Sequence, residues 1–254
     1  MSKPNVDPVA YYGFTAVPRD PDVLFKEHPT ASGNHPQTRS VYCEGFPPPA
    51  VRPRRSSARF RKGKELDIQT FNHSNRVYIY GAAIAKSHFP EWNYDNETWY
   101  LACLLHDIGT ANKFLATTKM SFEFKGAIVA RDLILQLGGV EDQADSVCEA
   151  IVRHQDIFVK GGNITQIGQA LQLATILDNV GIRANIIHPK LIETTVAEFP
   201  RMGWSEHFAR VIEKELDLKP WCHTSTFEIP CWTHGTPSNF ATDVRGNDVM
   251  RPFD

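Results

Sequence analysis

The sequence predicts an all-α protein, a helical bundle set between an irregular proline-rich arm and a C-terminal tail. Apolar side chains recur at roughly 3.6-residue spacing from about residue 66 to about residue 216, and capping or breaking residues punctuate that stretch at helix-length intervals. No segment alternates apolar and polar residues long enough to make a sustained strand.

Residues 1–64 form the arm. They hold most of the 17 prolines, including Pro47-Pro48-Pro49, and few periodic apolar positions. Tyr11, Tyr12, Phe14, Leu24 and Phe25 can dock the arm on the body; Tyr11, Tyr12 and Phe14 equally permit it to embrace a second copy in a homodimer. Between Arg52 and Lys64 lie seven basic residues (Arg52, Arg54, Arg55, Arg59, Arg61, Lys62, Lys64) and no acid. Such a run suits nucleic acid or nuclear import, but is more commonly a solvated linker, and we read it so.

The body spans 65–219. Leu66–Phe89 carries Val77, Tyr80, Gly81 and Ile84 on one helical face, and Pro90 stops it. Asp95 or Asn96 caps a nearly all-apolar helix to Leu105, a composition that requires burial on every side. Ser121 starts a helix through Ile128 and Leu133 to Leu137, ended by Gly138-Gly139. Glu141–Gln155 follows, then Thr165–Val180 with Gly181 at C′. Pro189 opens a helix to about Glu198, and Ser205 caps one to about Leu216. Residues 220–254 form the tail, whose structure no pattern predicts. There is no internal repeat.

A chain of 254 residues is long enough to bury a substantial core. With 27 Lys+Arg against 29 Asp+Glu its net charge is −2, which argues against a protein built around nucleic-acid phosphates. A mean hydropathy of −0.32 and the lack of any run of about 18 apolar residues argue against a membrane span. The start, MSKPNVDPVAYYGFTAV, lacks the basic and apolar regions of a secretory signal, so the expected location is the cytoplasm. The five cysteines (Cys43, Cys103, Cys148, Cys222, Cys231) include no CxxC pair and read as reduced thiols. Cys222-His223 with Cys231 and His234 is a weak alternative zinc set, because structural sites usually carry tighter cysteine pairs.

Polar residues occupy positions where these helices should be apolar. Asp178 follows Ile167, Leu171 and Ala174 on one stripe, where a carboxylate is costly unless paired or bound to a metal. His73 shares a face with Val77, Tyr80 and Ile84, and His106-Asp107 ends the apolar LACLL run. A single buried histidine is usually just hydrogen-bonded. Two imidazoles and two carboxylates from three helices, however, suit one divalent transition metal with positions left for water.

The order His73, His106-Asp107, Asp178 resembles the signature of the HD-domain metal-dependent hydrolases. The segments TFNHSNRVYIYG (70–81), ETWYLACLLHDIGT (97–110), FEFKGAIVA (122–130), RHQDI (153–157) and LATILDNVG (173–181) are similar to the fungal cyanamide hydratase branch of that superfamily. The resemblance covers about residues 65–215. It implies one zinc per chain held by His73, His106, Asp107 and Asp178, and hydration of cyanamide to urea by a water or hydroxide on the metal. Zinc can lower the pKa of a bound water to about 7. The substrate is too small to supply much remote binding energy, so the metal and a small preorganised pocket must do most of the work.

His154 lies on the face of Val147 and Ile151 and reads as a general acid, a support for a ligand, or a structural histidine. Thr110 and Lys113 can reach the site from the loop after the HD pair; Thr110 stands where many HD phosphohydrolases carry Lys, which weakens a nucleotidase reading. Asn72, Phe122, Phe124, Gln155 and Asn179 are expected to line the pocket from their adjacency to the matched segments. Alternatives are hydration of another small nitrile or an isocyanide, HD-type nucleotide phosphohydrolysis, and a regulatory protein using the basic run. Two metals look undersupplied with ligands, since only His154 lies between the HD pair and Asp178.

Overall fold

The computed structural model describes residues 7–28, 66–159, 161–227, 229–230 and 237–254. The basic run of 52–64, Cys43, Cys231 and His234 lie outside the described residues, and so do the expectations attached to them.

Helices dominate, as the periodicity predicts. The arm contributes α1 (Pro8–Tyr11), β1 (Ala16–Pro18) and α2 (Pro21–Glu27), both helices opening on Pro after an Asp cap. The body contains α3 (Ile68–His88), α4 (Asn96–Leu105), a 3₁₀ turn at Ile108–Thr110, α5 (Asn112–Leu115), α6 (Phe122–Gln136) and α7 (Glu141–Arg153). After β2 (Asn163–Thr165) come α8 (Gln166–Val180), α9 (Pro189–Glu198) and α10 (Trp204–Leu218). The described residues of the tail carry a 3₁₀ turn at His223–Phe227, a short β3–β4 ladder (Ile229–Pro230 with Pro237–Ser238) and α11 (Phe240–Arg245).

Most caps are those read from the sequence. The Asp95 carboxylate accepts from Thr98 N and Oγ1 at 2.8 and 2.7 Å, and Thr165 Oγ1 accepts from Gly168 N at 3.0 Å. Gly181 ends α8 in the left-handed region, φ 78°, where a side chain would be strained. Ser121 starts α6 as expected, although its hydroxyl accepts from His223 N and the distant Glu215 carboxylate takes the Phe122 N–H at 2.7 Å. One expected cap is corrected. Ser205 lies inside α10, which begins after Gly203 (φ 73°), and its hydroxyl accepts from Arg201 Nη2 at 3.0 Å.

Sustained strands are absent among the described residues, but the arm adds one short pairing. β1 runs antiparallel to β2, Val17 facing Ile164. With Leu24 fully buried and Ser146 Oγ donating to Tyr12 O at 2.5 Å, residues 7–28 dock on their own body. Two apolar clusters make the core. The larger is built from α3, α4 and α6–α8; the smaller gathers Phe122, Ile176, Trp204, Phe208, Phe227 and Phe240, so arm and tail both contribute to the interior. No helix among the described residues is long and apolar enough to cross a membrane.

Candidate metal centre

The two clusters meet at a buried set of imidazoles and carboxylates. His73 comes from the second turn of α3, where every residue from Asn72 to Gly81 is buried. His106 closes α4, and Asp107 leads into the 3₁₀ turn. Close approach at Gly109 makes that turn possible: a Cβ there would collide with the Phe122 carbonyl at the start of α6.

Hydrogen bonds settle which ring nitrogens face inward. His106 Nδ1 donates to Cys103 O at 2.7 Å, and His154 Nδ1 donates to Ile151 O at 2.6 Å, because carbonyls can only accept. His73 Nδ1 donates to the Asp178 carboxylate at 2.6 Å. Each neutral ring therefore presents a bare Nε2. The Nε2 atoms of His73 and His106 are 3.2 Å apart, and they lie 3.6 and 3.2 Å from Asp107 Oδ2. His154 Nε2 stands 4.0 Å from Asp107 Oδ1, its ring edge-on to His106.

Asp107 is the anomaly. Its side chain is 1 % exposed, and neither oxygen accepts a hydrogen bond. An unpaired buried carboxylate facing imidazole lone pairs is unfavourable unless a cation joins them. His73, His106 and Asp107 offer ligand atoms that all lie within 4.8 Å of one another, so the donor set fits one divalent ion. The field has the right sign as well. Burial opposes charge on His106, yet the Asp107 carboxylate outweighs it and raises the imidazole pKa. Burial also opposes charge on Asp107, but the positive charge that His106 takes up when protonated holds its carboxyl down at about 2. Burial keeps His73 and His154 neutral, with pKa values pushed down to about 4.

Asp178 is placed differently from the expectation of a fourth ligand. It is fully buried on the predicted stripe, but its oxygens face His73 Nδ1, Arg76 Nε and Nη2, and Arg201 Nη1 at 2.6–3.2 Å. The two guanidiniums, against the opposing effect of burial, hold its carboxyl far below the usual range. It meets His73 on the ring edge opposite Asp107, through the Nδ1 hydrogen bond. The tail completes the arrangement: Asn247 Nδ2 donates to Asp178 O at 3.1 Å, and Asp254 Oδ1 pairs with Arg201 Nε at 2.7 Å.

The other expected residues divide. Phe122 packs 6.0 Å from the His154 ring. Asn179 Oδ1 accepts from Trp204 Nε1 at 2.8 Å, fixing the indole that stacks on His73 at 4.2 Å. Gln155 Oε1 accepts from Thr224 Oγ1 at 3.4 Å. Asn72 instead donates to Pro200 O at 2.8 Å, tying α3 to the segment before α10. Thr110 Oγ1 donates to the Asp107 carbonyl at 2.7 Å, closing the turn. Lys113 is exposed, its ammonium 4.7 Å above the Phe114 ring, so it does not join the buried set. Phe124 is half-buried and stacks on His223 rather than on the histidine cluster.

Sequence reading missed Arg76, Arg201 and Trp204. Arg76 had a signal, an arginine on the buried stripe of the NHS-x-RVY segment; Arg201, just before α10, and Trp204, its first residue, had none.

The family model for the HD domain matches residues 70–180, the interval from His73 to Asp178. Two proteins of Saccharomyces cerevisiae, cyanamide hydratase DDI2 and cyanamide hydratase DDI3, are each 42 % identical to this chain over 219 residues, covering 86 % of it and 92 % of each relative. The buried histidines and aspartates that the geometry draws together thus lie in a shared domain, and the chain belongs to the fungal cyanamide hydratase family of the HD-domain superfamily.

Proposed function

We propose that this protein is a cytoplasmic, zinc-dependent hydro-lyase that adds water across the nitrile of cyanamide to give urea, with one zinc per chain. The observation that carries the reading is Asp107, a buried carboxylate without a hydrogen bond, facing the bare Nε2 atoms of His73 and His106.

His73, His106 and Asp107 would hold the ion. A zinc ion held there would supply Lewis acidity, which lowers the pKa of water and polarises a nitrile. The protein's own residues orient and move protons. Asp178 fixes the His73 tautomer, and Arg76 with Arg201 keeps Asp178 charged, so His73 Nε2 stays available. Trp204, stacked on His73 and backed by Phe208, walls the site with apolar surface and excludes bulk water. His154 Nε2, neutral at pH 7 and anchored through Nδ1, accepts a proton as water adds to carbon and returns it to nitrogen.

The test is urea release from cyanamide by zinc-loaded protein against a chelator-stripped control. Urea formed only with metal is the expected result. No urea from protein holding one metal per chain would overturn the substrate and direct the search to other nitriles and isocyanides.

A further inference from the structure

A buried charge without a counter-charge marks the metal centre, and the same reasoning applies to a buried cation in the arm. Arg19 follows β1 and is 4 % exposed. Its Nη1 donates to Asp156 O at 2.7 Å and its Nε to Gly161 O at 3.3 Å. Among the described residues no carboxylate pairs with it, and its Nη2 donates to none of them. Two carbonyls replace part of a guanidinium's lost hydration and none of its counter-charge.

Arg19 lines a cavity of about 340 Å³ between the arm and the body, a volume within the range of small-molecule sites. Most of the remaining wall is apolar. Pro21 comes from the arm, Ile157 and Phe158 from the turn after α7, Leu173 and Ile176 from α8, and Ile182 from the loop beyond it. Gln172 adds one polar group to this wall: its Nε2 gives one hydrogen to Arg153 O at 3.5 Å and keeps the second. None of the lining residues belongs to the metal set.

The other charges around the cavity are already engaged. Asp22 Oδ1 pairs with Arg183 Nη2 at 2.7 Å, and Asp20 Oδ1 caps α2 by accepting from Asp22 N at 2.8 Å. Asp156 pairs with Arg153 at 2.8 Å. Burial lowers the Arg19 pKa against the opposing pull of Asp20 and Asp156, so those carboxylates do not balance it. Arg183, also on the wall, holds φ 59°, a left-handed conformation that costs a residue with a side chain energy and is typical of ligand clamps. Its bond to Asp22 latches α2 to the loop after α8 beside the cavity.

We propose that this cavity binds a small organic monocarboxylate, its carboxylate on Arg19 and its apolar body against Phe158, Leu173 and Ile176. Arg19 keeps Nη2 and the second Nη1 hydrogen for the anion, and a charge-assisted bond there supplies the missing counter-charge. The wall offers one unbalanced cation, which matches a single negative charge. Inorganic phosphate would bring more charge than that and leave the apolar wall uncovered. The site is distinct from the metal centre, so it stands whether or not the protein hydrates cyanamide.

The test is calorimetric titration of the full, metal-loaded chain at neutral pH with octanoate, octan-1-ol and acetate. Octanoate should bind at one site per chain, about 10- to 100-fold more tightly than octan-1-ol, which lacks the charge. Acetate, which lacks the apolar body, should bind more weakly still. Leu173→Trp fills the cavity and should abolish octanoate binding; Arg19→Gln should bring octanoate down to the level of octan-1-ol and leave octan-1-ol unchanged. Octanoate that binds no better than octan-1-ol, or binds undiminished in Leu173→Trp, would overturn the proposal. Binding that is lost in Asp107→Asn would place the carboxylate on the metal and overturn it equally. If Leu173→Trp or Arg19→Gln does not fold, Ile182→Trp blocks the same space from the loop, and octanoate binding retained there counts against the site.

Discussion

Asp107 and Asp178 are two buried carboxylates on opposite sides of His73, in opposite states. Asp178 is saturated, with His73, Arg76 and Arg201 donating to its oxygens. Neither oxygen of the Asp107 carboxylate accepts a hydrogen bond. Equal burial therefore does not mean equal role. Arginines give Asp178 a permanent counter-charge, whereas the Asp107 carboxylate has no such partner among the described residues, which is the difference the proposed metal site rests on.

The sharpest way to break this contrast is Asp107→Asn. It should abolish stoichiometric metal binding, read by elemental analysis, while leaving the helical circular dichroism intact, because it relieves an unpaired charge. Asp178→Asn should do the reverse. It leaves Arg76 and Arg201 buried without their carboxylate, a loss of about 3–5 kcal/mol by guanidinium unfolding, with metal affinity weakened by about 10- to 100-fold through the unsupported His73. A variant as stable as wild type and devoid of metal would make Asp178 a ligand after all.

Acid sharpens the same point. Because folding depresses the Asp178 pKa, its stabilising contribution is complete above the ordinary carboxyl range and is lost as pH falls through the lowered value. Metal-free wild type should therefore lose stability steeply below about pH 4, and Asp178→Asn should show a shallower fall in the same titration.

His154→Gln should retain metal and lose about 10²-fold in kcat; an unchanged rate assigns the ring to structure alone. Lys113→Ala is the smallest expected effect, within about 0.5 kcal/mol in stability and no change in urea formation, since its ammonium lies on the surface. A large loss there would mean that the loop after the HD pair closes on substrate.

Local patterns carried much of this. The helix ends at Asp95 and Gly181 were legible because each is satisfied within a few residues of the helix end it serves. His73, His106 and Asp178 stood out because helical spacing sets them on apolar stripes. Thr110 and Lys113 follow Asp107 closely in sequence, yet their side chains turn different ways: one hydroxyl turns back to the Asp107 carbonyl, and one ammonium lies over the Phe114 ring.

By itself, then, the sequence determined an all-α body and a buried set of histidines and aspartates, since periodicity, capping and burial act over one or two turns. Only the tertiary structure decided which carboxylate is paired and which is not. Arg201 reaches Asp178 from 23 residues away, Glu215 takes the Phe122 N–H at the start of α6 from 93 away, and His223 meets Glu123 across 100. Such pairings depend on where distant segments cross, and no local pattern encodes a crossing.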